Sequence, residues 1–223
     1  MPDGQYSFYL HSDDRTDIAA MATISTISQP LRGEFIRTAA TAGAVVYQVD
    51  ARLPALIPVF FAGQLSAVRL CAVMALVSGT WSSLTGLPDE PENGGAALPV
   101  SPETEYQRRR YTLTLQNGRS GERVESVLTE ASSRLRGDLL RNLIITGLAL
   151  HTTAPELPRL LASMPVPPTS VSELQALVQQ MAGTADVNRA AAAVPDTPAT
   201  SDVPVSGADT REIKKNMRRA FGD

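Results

Sequence analysis

Apolar and polar positions alternate at two places along the chain. Tyr6-Ser7-Phe8-Tyr9-Leu10 sets Tyr6, Phe8 and Leu10 on one face, and Tyr111-Thr112-Leu113-Thr114-Leu115 does the same with Tyr111, Leu113 and Leu115. A period of two with aromatic and β-branched residues predicts a half-buried strand at each place. Helical spacing follows both strands: Ile18, Met21, Ile24 and Ile27 after the first, Val124, Val127, Leu128 and Ala131 after the second. Ser28-Gln29-Pro30 and Ser132-Ser133-Arg134 interrupt these patterns and offer caps for a second helix. That helix is clearest in Leu139, Leu140, Leu143, Ile144, Gly147 and Leu148. A Leu-Pro pair (Leu53-Pro54, Leu157-Pro158) comes next, then a further helix. In the second half, Ser170 and Glu173 form a capping box ahead of Leu174, Leu177, Val178 and Met181.

The two sets of elements are one unit written twice. Leu31-Arg32-Gly33-Glu34-Phe35-Ile36-Arg37 returns 104 residues later as Leu135-Arg136-Gly137-Asp138-Leu139-Leu140-Arg141. The register holds from Gly43 and Gly147 to Gly79-Thr80 and Gly183-Thr184, whereas the strands need an offset of 105. One residue was therefore gained or lost in the turn after the strand. Gly43 and Gly147 lie inside the second helices, where Gly costs about 1 kcal/mol relative to Ala. Their matched places predict a close helix crossing instead of a helix end.

Two copies are too few for a solenoid and suit a pseudo-symmetric dimer built from one chain. A lone strand leaves its backbone groups unpaired at two edges. The strands are therefore expected to pair antiparallel within the chain, over four helices. The connection from Leu87 to Arg110 reaches up to roughly 80 Å at about 3.3 Å per residue, so length does not prevent this. The expected fold class is mainly α with short β: a tandem-duplicated ribbon-helix-helix with extra C-terminal helices in each repeat. Residues 1–86 form the first repeat, 87–107 a linker and 108–183 the second repeat. A disordered linker at 184–208 and an amphipathic helix at 209–223 complete the expected layout.

Composition removes several classes of function. The 223 residues carry a net charge of −3, which says nothing about nucleic acid until the charges are placed. No Gly-rich phosphate loop with Lys, paired histidines or nucleophile motif is present, and two histidines with one cysteine leave little for general-base or metal chemistry. No enzyme, cofactor or metal is expected. Cys71, in an apolar run, reads as a buried structural thiol. Asp3, Asp13 and Asp14 without an apolar core argue against a signal peptide. Pro54, Pro58, Gln64 and Arg69 interrupt the apolar stretch from Leu53 to Leu84, so no membrane span and a cytoplasmic location are expected.

A two-stranded ribbon with a polar outer face fits the major groove of B-DNA. Its outward set would be Gln5, Ser7, Tyr9 and His11 from the first strand, and Arg110, Thr112, Thr114 and Gln116 from the second. Amide ends at the second helices, with Arg32 and Arg136, would hold phosphates. The same alternation also describes a solvated sheet face. Arg108 to Arg110, placed just before the strand, read either as phosphate contacts or as a solubilising flank. Taken alone, His11 reads as a surface histidine, His151 as structural, and Trp81 as core or interface.

The run Leu135 to Asn142, through Thr146-Gly147-Leu148-Ala149-Leu150 to Leu157-Pro158-Arg159-Leu160-Leu161, resembles the ParR/StbB plasmid-partition adaptors. Thr41-Ala42-Gly43 and Asp50-Ala51-Arg52-Leu53-Pro54 carry the resemblance into the first copy. It implies double-stranded DNA as partner, at repeated sites of a plasmid centromere, with self-association there. It also implies a C-terminal tail that engages an actin-like ParM filament. Such adaptors carry one unit per chain; two fused units are similar to the conjugation regulator TraY, which implies instead a conjugation or transcriptional regulator that binds DNA through the same tandem unit. A third reading is a protein-interaction scaffold without DNA binding.

The tail repeats the amphipathic pattern. Ile213, Met217 and Phe221 fall on one stripe, with Arg211, Lys214, Lys215, Arg218 and Arg219 around it. Fifteen residues (209–223) are marginal as an isolated helix. Folding against an apolar groove rimmed by acids is the expected mode, with Ile213, Met217, Phe221, Lys214 and Arg218 as contacts. The resemblance places that groove on the filament. The other reading is a solvated basic tail that adds nonspecific DNA affinity.

Overall fold

Strand β1 (Gln5–His11) finds its partner in strand β2 (Arg108–Thr114), more than a hundred residues away. In this computed structural model, which describes residues 4–80 and 107–192, the two pair antiparallel within one chain. The ladder runs from Gln5 opposite Thr114, through Ser7 opposite Thr112, to His11 opposite Arg108. Outside the strands it continues by Leu115 N–H to Gly4 O (3.3 Å) at one end and Ser12 N–H to Gln107 O (3.0 Å) at the other. Both strands are longer than the alternation predicted, and Arg108 to Arg110 belong to β2 instead of flanking it.

Below the ribbon each repeat contributes four helices: α1 (Arg15–Ser25), α2 (Gln29–Val49), α3 (Leu53–Phe60) and α4 (Ala67–Ser78), then α5 (Arg119–Glu130), α6 (Arg136–Thr153), α7 (Leu157–Ser163) and α8 (Val171–Ala192). The expected β-α-α unit with extra helices is therefore present twice. Local chemistry sets many of the boundaries. Asp14 caps α1 by accepting from Thr16 N and Asp17 N at 2.8 and 3.1 Å. Prolines at the start of α3 and α7 occupy positions where a missing N–H costs nothing. Gly79, with φ near 70°, closes α4 in the left-handed conformation. Ahead of α8, Ser170 Oγ accepts from Glu173 N (3.2 Å), while the Glu173 carboxylate reaches back to Thr169 N (2.7 Å).

The repeats are interlaced. Helix α2 packs on α5, α6 and α7 of the other repeat, and α6 packs on α2, α3 and β1. Phe8, Leu10, Leu113 and Leu115 point down from the ribbon into this core, joined by Leu140, Leu143, Ile144 and Leu148 of α6. Both repeats lie in one compact unit, residues 1–187; of the second unit, residues 188–223, only the end of α8 is described.

Two expectations change. In α1 the buried residues are Asp17, Ala19, Ala20 and Ile24, with Ile18 and Met21 only half-buried, because Asp17 turns inward to a partner described below. Helix α8 continues to Ala192, past the point at Thr184 where composition predicted disorder. Its Ala-rich sequence meets no proline before Pro195, and Ala has the highest helix propensity. Trp81, most of the linker, the segment after Ala192 and the expected C-terminal helix lie outside the described residues.

Candidate nucleic-acid interface

The alternation of each strand separates two faces, and the core takes one of them. Gln5, Ser7, Tyr9 and His11 of β1 face outward beside Arg108, Arg110, Thr112 and Thr114 of β2. The four β2 residues and Gln116 are exposed, while Ser7, Tyr9 and His11 are partly covered by their neighbours. Side chains on this face interact diagonally across the strands. Arg110 reaches Ser7, with its Nη2 donating to Ser7 Oγ at 2.9 Å and its Nε at 3.2 Å. Arg108 lies over the Tyr9 ring, with Cζ 3.5 Å from the centroid. Arg109 is on the lower side of the strand end, 5.2 Å from the Tyr111 ring, which itself stacks on Phe8.

Each outward position predicted from the sequence is thus brought onto or beside one surface. Arg108 was not among them. The signal that could have found it is the even-numbered alternation continued backward from Thr112 through Arg110.

Arg32 and Arg136 have a second task. Arg32 Nε donates to Ile27 O (2.8 Å) and Arg136 Nε to Ala131 O (3.2 Å), so each guanidinium closes the end of the preceding helix. Both stay close to the ribbon. The charge of Arg136 acts on Tyr6 and that of Arg32 on Tyr111, lowering phenol pKa values that burial raises more strongly. Neither second helix has a side-chain cap bond at its start, and a Cβ on Gly137 would come within 3.4 Å of Ser7 O. The first turn of α6 therefore abuts the ribbon with its amides uncapped by side chains, a geometry that suits phosphate oxygens. Leu31 and Leu135, at matched places in these turns, are both exposed.

One corner departs from the pseudo-symmetry. In repeat one, the buried Asp17 accepts from His11 N (2.9 Å) and from Arg141 Nε (2.7 Å), and Asp14 accepts from Arg141 Nη2 (3.2 Å). Burial pushes the Asp17 carboxyl above the ordinary aspartate range, against the opposing pull of the His11 amide and Arg141. In repeat two the turn is one residue shorter, and the residue matching Asp17 is Gly121. A Cβ there would collide with Gln116 O, so the shorter turn admits only glycine. Arg37, the match of Arg141, pairs with Glu34 of its own helix at 2.6 Å, beside an open cavity of about 350 Å³.

The family model for plasmid stability proteins matches residues 4–74 and, a second time, residues 109–178. The chain belongs to this family. The two matched segments coincide with the two structural repeats, so each repeat is a family unit in its own right. Membership of the plasmid stability family places the protein in plasmid maintenance. No curated protein and no solved structure matches the chain.

No group of His, Cys, Asp and Glu that could hold a metal ion occurs among the described residues, and none of their helices is long and apolar enough to cross a membrane. Cys71 is buried, and desolvation raises its thiol pKa. The tail residues Ile213, Lys214, Met217, Arg218 and Phe221 lie outside the described residues.

Proposed function

We propose that this plasmid stability protein is a DNA-binding partition adaptor, not an enzyme, working where its plasmid resides in the cytoplasm. The ribbon would enter the major groove of centromere repeats, with several copies assembling side by side. The C-terminal tail would tie the complex to an actin-like ParM filament. The observation that carries this reading is the outer face of the ribbon. Two paired strands present Arg108, Arg110, Thr112, Thr114, Gln5 and Ser7 away from the core, on a support of the right width for the groove. Arg32 and Arg136, with the uncapped first turn of α6 that abuts the ribbon, would supply positions for phosphates.

The fusion of two units in one chain favours a second reading, a TraY-like regulator of conjugation or of its own operon. It uses the same face and differs in partner. Footprinting on DNA flanking the gene tests the shared part. Protected repeats, with affinity falling steeply as salt rises, are expected. Absence of protection at low salt would remove both readings and leave an interaction scaffold. Capture of a neighbouring actin-like ATPase, or its failure beside transfer genes, then separates adaptor from regulator.

A further inference from the structure

The ribbon is built about a pseudo-dyad, but its two halves carry different chemistry. With the strand offset of 105, Ser7 corresponds to Thr112, and these two residues pair with each other. The dyad therefore passes through that pair. It relates Gln5 to Arg110, Tyr9 to Thr114 and His11 to Gln116. One half of the face consequently presents the pairs Tyr9–Arg110 and His11–Arg108, and the other presents Gln5–Thr114. A guanidinium stands on one side where an amide stands on the other.

These groups make different demands on bases. Arg forms a bidentate pair with O6 and N7 of guanine, whereas Gln does so with N6 and N7 of adenine. A ribbon made by two identical chains must present the same residues to both half-sites, so it reads an inverted repeat. A ribbon made by one chain is free of that constraint, and here the dyad-related residues differ at each outward pair.

Resting on the DNA-binding reading above, we propose that the ribbon reads a non-palindromic duplex, with Arg110 on a guanine in one half and Gln5 on an adenine in the other. The chain then docks in one orientation only. Along direct repeats every copy points the same way, which gives the assembled array a polarity that a symmetric reader lacks.

Selection from duplexes with a randomised central segment, using the full chain, tests this. The wild type is expected to enrich a motif with unlike halves and no inverted repeat. Arg110→Gln should relax the guanine preference in one half and weaken binding to the selected duplex roughly 5- to 150-fold. Combining Arg110→Gln, Thr114→Tyr and Gln116→His makes alike the three dyad-related pairs that flank the central Ser7–Thr112 pair, and this variant should enrich an inverted repeat. If the triple variant does not fold, the single variant carries the test. An inverted repeat enriched by the wild type overturns the inference. Retention of duplexes without sequence preference also overturns it while leaving DNA binding in place. Retention of no duplex removes both.

Discussion

Gly43 lies directly against the backbone carbonyl of Leu143, and the same contact is made a second time by Gly147 and Ala39. The repeat offset of 104 turns Gly43 into Gly147 and Ala39 into Leu143, so the crossing of α2 and α6 obeys the pseudo-dyad. A Cβ at either glycine would overlap backbone that cannot swing aside. This crossing sets the distance between the repeats, and through it the support of the ribbon.

Gly43→Ala and Gly147→Ala should each destabilise the protein by about 1–3 kcal/mol or more, the cost of forcing atoms into a packed interface. Gly33→Ala is the control. It lies in the same helix as Gly43, but its Cβ would meet only the Arg37 side chain, at 3.8 Å. Helix propensity then predicts a gain of up to about 1 kcal/mol. Urea unfolding of the three variants reads the difference; a Gly43→Ala protein as stable as wild type would refute the close crossing.

Arg141→Ala should cost about 3 kcal/mol at neutral pH, because it leaves the Asp17 carboxylate buried without its cation. The pH dependence carries a sign. Since the Asp17 pKa is raised, the folded state holds that proton more tightly than the unfolded chain. Its stabilising contribution is present below the unfolded value of about 3.9 and is lost as pH rises through the folded value. Comparing the wild type with Asp17→Asn across that interval should show the wild type losing ground as pH rises. A stability difference that does not change with pH would rule this out.

The two faces of β2 should separate by mutation. Leu113 points into the core, and Leu113→Ala should cost about 2–5 kcal/mol of stability. Arg110, Thr112 and Thr114 point outward, so replacing all three with Ala should leave unfolding nearly unchanged while abolishing specific DNA binding. Mobility shift and thermal unfolding on the same samples give both readouts. Wild-type affinity in the triple variant would mean the strand is not the reader.

Phe221→Ala should prevent capture of the filament protein yet leave DNA affinity unchanged, because the proposed stripe uses its apolar edge. A tail that acts only through charge would show the reverse: sensitivity at Lys214 and Arg218, none at Phe221. Pull-down comparing wild type, Phe221→Ala and a tail deletion decides. Equal capture by all three excludes the tail.

Sequence alone determined the features that depend on neighbours a few residues apart. The alternation of Tyr6 to Leu10 and of Tyr111 to Leu115 defined two strands and their buried faces, since side chains on a strand must alternate. Helical spacing located the first and second helices of each repeat and α8, whereas the short helices α3 and α7 begin on the Leu-Pro pairs that read as punctuation. The repeat added long-range information: matched glycines inside matched helices foretold the α2–α6 crossing, and a strand with no neighbour had to find its counterpart. The outward residues followed from the same alternation.

Tertiary structure decided whatever depends on residues distant in the chain. The spacing of Ile18, Met21, Ile24 and Ile27 held no signal that Asp17 is buried, yet Arg141, 124 residues away, draws it into the interior. The single-residue difference between the strand offset and the helix offset was visible, but its consequence was not. Only in three dimensions does the shorter turn bring Gln116 O over α5, require Gly121 and leave Arg37 to pair with Glu34. The membership of Arg108 in the ribbon was hidden for a similar reason. A charged strand end carries no burial signal, and the ladder to His11 that holds it comes from the other repeat.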